Sequence, residues 1–153
     1  MQRSQTYSHH HAEEVLREKG LFEEVVRLPD QPNVAVTARN SPNVKRAFRR
    51  TLVANGWAMG PRVHDDFNLT VNAIKSGVGL TVQTANIARA FYDLMKFQVM
   101  YLNNRIEGAV LIIPNSAAAS IFGKNVANFT RVSNEIGLFR HVVTVPCLLV
   151  SFE

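Results

Sequence analysis

The sequence has a single cysteine, few glycines and prolines, and no long hydrophobic run. Cys147 has no partner for an internal disulfide and no export signal follows Arg3, so the chain is expected in a reducing cytoplasm. The uncharged stretch 108–123 is interrupted by Pro114 and Asn115, so no segment is expected to span a bilayer. With 8 Gly and 6 Pro in 153 residues, collagen-like and low-complexity classes are excluded.

Acidic residues are scarce after the first thirty positions. Residues 1–30 carry four Lys/Arg and six Asp/Glu, whereas residues 31–153 carry thirteen and six. A basic body behind a short acidic leader suits a surface that binds a polyanion such as nucleic acid. The same charge is also compatible with a solvated basic surface that binds nothing.

The first half of the chain predicts helices. Residues 13–28 form an amphipathic pattern interrupted at Gly20, and 33–38 alternate as a short strand would. Ser41-Pro42 opens a helix that Gly56 ends. Its apolar stripe is Val44, Ala47, Phe48, Thr51 and Leu52, and off that stripe lie four basic residues, Lys45, Arg46, Arg49 and Arg50.

The period then changes to that of strands, at 57–63, 67–74 and 78–83. Ser76-Gly77 is a tight-turn signal between the last two. A two-residue loop there pairs Lys75 with Val78 and places Asn72 opposite Thr81. Gln83 lies on the same face as Thr81, two residues along the strand.

The second half predicts a long helix over 86–102, an apolar strand over 106–113 and a short helix over 116–122. Irregular loops are expected up to residue 137 and a last strand over 142–152, where Pro146 indicates an edge or a bulge. The order of elements predicts an α/β fold, with a central mixed β-sheet flanked by helices in one domain over 1–153.

The hairpin 72–83, Asn-Ala-Ile-Lys-Ser-Gly-Val-Gly-Leu-Thr-Val-Gln, resembles the catalytic hairpin of the BglII/BamHI/BstYI group of type II restriction endonucleases. The resemblance continues through Phe91-Tyr92-Asp93-Leu94 and through 105–114, and takes in the helix from Ser41-Pro42 to 55–57 and Val145-Pro146. It extends to Tyr7-Ser8-His9. It implies a restriction-endonuclease-like core of the PD-(D/E)xK superfamily. In these terms 1–40 is a helical N-terminal segment, 41–114 the catalytic-type core, and 115–153 the DNA-reading loops and final strand.

The resemblance implies Mg²⁺-dependent phosphodiester hydrolysis, in which two carboxylates on adjacent strands hold the metal beside the scissile phosphate. Here the Asp position holds Asn72, the Glu position holds Thr81, and only Gln83 matches. Neutral oxygens at 72 and 81 should bind Mg²⁺ weakly, so the chain is expected to be catalytically inactive. Deliberate disarming and natural loss of cleavage both account for the pair, and a third possibility is a relocated carboxylate from Asp65, Asp66 or Glu107.

The resemblance also implies a homodimer that binds a short palindromic site in double-stranded DNA, with a GATC core possible. Phosphate contacts are expected from the four basic helix residues. Base contacts are expected from the polar residues after the Pro114 strand: Asn115, Ser116, Lys124, Asn125, Asn128, Arg131, Ser133, Asn134 and Arg140. The alternatives are a non-catalytic DNA-binding protein, such as a repressor or protective competitor, and an interaction protein with no DNA role.

Three other groups of residues have ordinary explanations. His9-His10-His11 is interpreted as a solvated stretch, because adjacent side chains diverge from either a helix or a strand. His64-Asp65-Asp66 is typical of a polar loop. Cys147 sits in an apolar strand and is expected to be a buried structural thiol.

Overall fold

A mixed β-sheet of six strands organises the chain, and the computed structural model describes it from Met1 to Glu153. The strands are β1 (Arg3–His9), β2 (Ala58–Met59), β3 (Ala73–Lys75), β4 (Val78–Val82), β5 (Gly108–Pro114) and β6 (Cys147–Phe152). Their order across the sheet is β1-β6-β5-β4-β3-β2. Strands β4, β5 and β6 run parallel, and the outer neighbours are antiparallel.

Six helices cover the two faces of the sheet. They are α1 (Ala12–Glu18), α2 (Phe22–Arg27), α3 (Ser41–Ala54), α4 (Ile87–Leu102), α5 (Ser116–Phe122) and α6 (Phe129–Leu138), with a 3₁₀ turn at Leu28–Asp30. None of the six α-helices combines the length and the apolar composition that spanning a bilayer requires.

Strand β5 shows why the sheet has two buried faces, since all of its residues are buried. Val110 and Ile112 pack into one core with α1, α2 and α3, while Leu111 and Ile113 pack into a second core with α4 and α6. Period-two alternation with apolar residues on both sides is what a parallel strand between two helix layers requires. The predicted α/β fold with a central mixed sheet is confirmed.

The hairpin of β3 and β4 has the predicted register. Lys75 pairs with Val78, and Ala73 pairs with Leu80. Ser76 and Gly77 have φ of 48° and 75°, the left-handed pair that a type I′ turn demands. The ladder therefore directs Asn72, one residue before β3, toward Thr81.

Three segments meet at the edge of the sheet where β4 and β5 end. Ser41 at the start of α3 hydrogen-bonds the Thr84 hydroxyl at 2.9 Å. The loop before α6 is tied to the start of α4, because Ile87 N–H donates to Asn125 and Ala127 N–H donates to Ala85. In parallel strands the carboxyl ends share one edge, so this edge gathers α3, the hairpin and the 123–128 loop.

Four sequence expectations are corrected by the structure. Residues 1–40 are not wholly helical, because β1 adds an antiparallel strand to β6, and β6 is therefore not an edge. Residues 33–38 form no strand. Helix α6 occupies much of the segment expected to be irregular. The strands predicted at 57–63 and 67–74 shorten to β2 and β3, because the chain between them forms turns and one isolated bridge.

Candidate nucleic-acid interface

Asn72 is exposed at the end of the hairpin, and its carboxamide has a defined orientation. Its Oδ1 accepts the N–H of Val82 at 2.8 Å, which turns Nδ2 away from the strand. The Asn72 N–H points to the Thr81 hydroxyl at 3.4 Å. Asn72 and Thr81, the residues at the predicted carboxylate positions, thus lie side by side, and Thr81 is buried.

Gln83 is also buried, and both ends of its side chain are bonded. Its Nε2 donates to Asp93 Oδ2 at 2.6 Å, and its Oε1 accepts the N–H of Ala85 at 2.8 Å. Lys96 neutralises the same carboxylate at 2.9 Å. Gln83 therefore anchors the start of α4, with no free group directed at a ligand.

These residues do not fit a divalent metal. Mg²⁺ needs hard, preferably anionic oxygens, whereas Asn72 Oδ1 already accepts a backbone N–H and Thr81 is neutral. The nearest acid on this network, Asp93, is bonded to Gln83 and Lys96. No cluster of three or more His, Cys, Asp or Glu side chains in the chain has the geometry to hold a metal ion.

The three acids considered as relocated metal ligands, Asp65, Asp66 and Glu107, each pair with a basic side chain elsewhere. Asp65 pairs with Arg105 at 2.6 Å, which holds the pKa of Asp65 below its usual value. Asp66 lies 3.7 Å from His64. Glu107 pairs with Lys19 at 2.6 Å beside the Ser76-Gly77 turn, at the opposite end of the hairpin from Asn72.

A basic groove runs from α3 to the hairpin and has a volume of about 490 Å³. Lys45, Arg46 and Arg49 form its α3 wall, and Asn72 and Thr70 lie on the hairpin wall. We call this cavity the α3 groove. Arg50, the fourth basic residue, is exposed on α3 outside it.

A second, polar groove of about 470 Å³ lies between α5 and the start of α6. Five of the expected base-reading residues line it: Ser116, Lys124, Asn125, Asn128 and Arg131. Asn128 caps α6 by accepting the Arg131 N–H at 3.0 Å, and it also accepts the Ser116 hydroxyl at 3.4 Å. We call this the α5–α6 groove.

The other four expected base readers lie outside this groove. Asn115 caps α5 and donates to Glu153 at 2.8 Å. Ser133 bonds back to Thr130 within α6, and Asn134 lies exposed on the same helix. Arg140 borders a separate cleft lined by His9, His10 and His11.

Two residues to which the sequence assigned no role act electrostatically on Lys45 in the α3 groove. Asp93 attracts the Lys45 ammonium electrostatically, and Arg89 repels it. The only feature of the sequence that singled out Asp93 was its position within the stretch 91–94 that resembles the family. Sequence alone does not distinguish a buried acid from an exposed one. Arg89, exposed in the first turn of α4, gave none.

The three histidines form the turn between β1 and α1 and are not uniformly solvated. His9 is buried and bonds to the Val143 carbonyl at 2.7 Å, whereas His10 and His11 have left-handed φ of 49° and 58°. Cys147 is fully buried, as expected, and burial raises its pKa to about 12.

Known structures share this fold. The crystal structure of restriction endonuclease BglII complexed with a DNA 16-mer superposes with a TM-score of 0.80 at 16% identity, over 99% of this chain and 76% of that one. Free BglII gives 0.68 at 15% identity, over 100% and 80%. A search of curated proteins finds no match. The fold is that of a restriction endonuclease.

The family model described as restriction endonuclease BglII/BglIII matches residues 4–152. The chain belongs to this family. Restriction endonucleases generally use Mg²⁺.

Proposed function

We propose that this chain binds double-stranded DNA on the restriction-endonuclease fold and does not cleave it. The observation that carries this proposal is the α3 groove, which Lys45, Arg46 and Arg49 line together with Asn72. A phosphodiester placed there meets cations but no metal-binding acids. Phosphate contacts of this kind give affinity and register.

Sequence preference would come from the α5–α6 groove. Arg131 and Lys124 suit guanine O6 and N7, and Asn125 suits adenine N6 and N7. Both grooves lie at the edge where β4 and β5 end, because the 123–128 loop is bonded to the start of α4. This placement favours one continuous DNA-binding face, which a short palindromic site would engage twice in a dimer.

The exposed face of α4 supports the homodimer. Tyr92, Met95, Val99 and Leu102 are all at least one-third exposed, with Leu102 at 67%. Together with Phe67, the first three line an apolar groove of about 320 Å³. A contiguous apolar helix face of this kind is typical of an interface.

Binding is tested by fluorescence anisotropy with a mixed-sequence duplex at several salt concentrations. We expect Arg46→Ala/Arg49→Ala to weaken binding and to reduce the salt slope by about 2. The matched control is Arg27→Ala/Arg50→Ala, which removes the same charge from exposed positions outside the groove. Equal losses in both pairs would indicate general charge attraction, and no binding by the unmodified chain would favour an interaction protein without a DNA role.

Loss of cleavage is tested by restoring the carboxylates. The unmodified chain should leave plasmid DNA intact with Mg²⁺, whereas Asn72→Asp/Thr81→Glu should produce discrete fragments if the DNA-binding face and the dimer are preserved. Cleavage by the unmodified chain would contradict the proposal. If the folded double variant leaves the plasmid intact, residues other than 72 and 81 must also have lost features that cleavage requires.

The dimer is tested by sedimentation of the chain without DNA. Val99→Glu introduces a charge into the α4 face and should shift a dimer to monomer. Val53→Glu, at a 56% exposed position on α3, is the control and should leave the mass unchanged. A monomeric unmodified chain at all concentrations would refute the dimer.

A further inference from the structure

Among the polar groups that line the α3 groove and have no partner within the chain, two lie on its opposite walls. One is the Nδ2 of Asn72. The backbone N–H of Val82 donates to the Oδ1 of this side chain, which leaves Nδ2 without a partner. The other is the ammonium of Lys45, which makes neither a hydrogen bond nor a salt bridge. Both line the same groove. Each is a donor, so together they are suited to an acceptor with negative charge.

Lys45 is exposed on α3, but its surroundings in the groove partly desolvate the ammonium. Burial lowers its pKa, and the nearby Asp93 carboxylate partly restores the charged form. Asp93 cannot satisfy it fully, because its oxygens are bonded to Gln83 and Lys96. An anion entering the groove would therefore stabilise the ammonium by supplying the missing partner.

The amide at position 72 changes the chemistry of this point. An aspartate there would repel a phosphate and would need a cation between the two charges. An asparagine with Oδ1 already bonded to the strand presents N–H groups, which attract a phosphate directly. Replacement of the acid thus removes a metal ligand and creates a phosphate donor at the same place.

We propose that Asn72 Nδ2 and the Lys45 ammonium form a phosphodiester-binding site that takes the place of the metal, so that DNA binding by this chain is independent of divalent cations. This rests on the proposed DNA binding and adds how the phosphate is held. The α3 groove holds the phosphate through fixed donors on α3 and the hairpin.

The test measures affinity for a mixed-sequence duplex in EDTA and in Mg²⁺ at matched ionic strength. The unmodified chain should bind equally well in both. Lys45→Gln should weaken binding about 10-fold in both buffers, because a charged donor to phosphate is lost. Arg50→Gln, on the same helix outside the groove, should change it far less.

Asn72→Asp is the decisive variant, because its Oδ1 still accepts the Val82 N–H and the fold is preserved. In EDTA it should bind more weakly than Asn72→Ala, since the carboxylate adds repulsion to the lost donor. Mg²⁺ should recover part of the affinity of Asn72→Asp and none of that of Asn72→Ala. Circular dichroism spectra of the variants check that each is folded.

Three results would overturn the proposal. Tighter binding of the unmodified chain in Mg²⁺ than in EDTA would show that a metal takes part. Equal affinities of Asn72→Asp and the unmodified chain in EDTA would show that position 72 does not contact a phosphate. Absence of binding in both buffers would refute the proposed function itself, and with it this site.

Discussion

Gln83 donates its side-chain amide to the buried carboxylate of Asp93 at 2.6 Å. This bond joins the end of β4 to the second turn of α4. Lys96, one turn further along α4, forms a salt bridge with the same carboxylate. A buried carboxylate needs such partners, since an unpaired charge away from water is costly. Gln83 thus ties the end of β4 to α4 in this chain.

Asp93→Ala should therefore destabilise the fold. It removes the carboxylate and leaves the Gln83 amide and the Lys96 ammonium without their partner, at a cost of about 3 kcal/mol. Chemical denaturation followed by circular dichroism measures the change. Asp66→Ala, at an exposed loop position, is the control and should alter stability by less than about 0.5 kcal/mol.

Glu24 links α2 to the hairpin layer, because it accepts Trp57 Nε1 at 2.7 Å and Lys75 Nζ at 2.7 Å. Glu24→Ala should cost about 1–3 kcal/mol by leaving the indole N–H of a buried tryptophan unpaired. Trp57 is the only tryptophan, so its fluorescence reports on this site alone. Glu23→Ala, exposed on the same helix, should leave both the spectrum and the stability nearly unchanged.

The elements of the fold that were predictable from sequence have strong local signals. The hairpin register followed from a two-residue turn whose Ser76 and Gly77 both adopt positive φ. Helices α3 and α4 followed from apolar stripes that the structure buries, including Phe48 and Leu94. In these segments local pattern and tertiary packing agree.

The N-terminal strand was not predictable from its own residues. Strand β1 is polar, and only His9 of its seven residues is buried, so no alternation identifies it. It forms because β6 offers an unpaired edge, which is a property of the tertiary structure. Likewise, the Asn-containing segment after residue 122 predicts loops, yet Asn128 caps α6.

Cys147 should be unreactive in the native state. Its pKa is raised to about 12 by burial, so at pH 8 only about one thiol in ten thousand is ionised. Labelling with a thiol reagent should require opening of the sheet, and its rate should match that of unfolding. Ser120→Cys places an exposed thiol on α5 and should react within minutes. Rapid labelling of the native unmodified chain would contradict the burial of Cys147.

His9 should make stability depend on pH on the acidic side of neutrality. Burial lowers its pKa below the usual 6.5, the neighbouring His10 lowers it further, and the hydrogen bond to Val143 opposes both. The unfolded chain therefore binds a proton more readily than the folded chain. Stability is unaffected by His9 above about pH 7 and falls as the pH drops through 6.5.

The measurement compares the unfolding free energies of the unmodified chain and of His9→Gln, which cannot titrate, from about pH 8 to pH 5. The advantage of the unmodified chain over His9→Gln should shrink as the pH falls, because only the unmodified chain loses stability by protonation of His9 in the unfolded state. A constant difference in unfolding free energy between the unmodified chain and His9→Gln over this range would contradict the prediction. It would mean that His9 binds a proton equally well in the folded and unfolded states, so that burial does not lower its pKa.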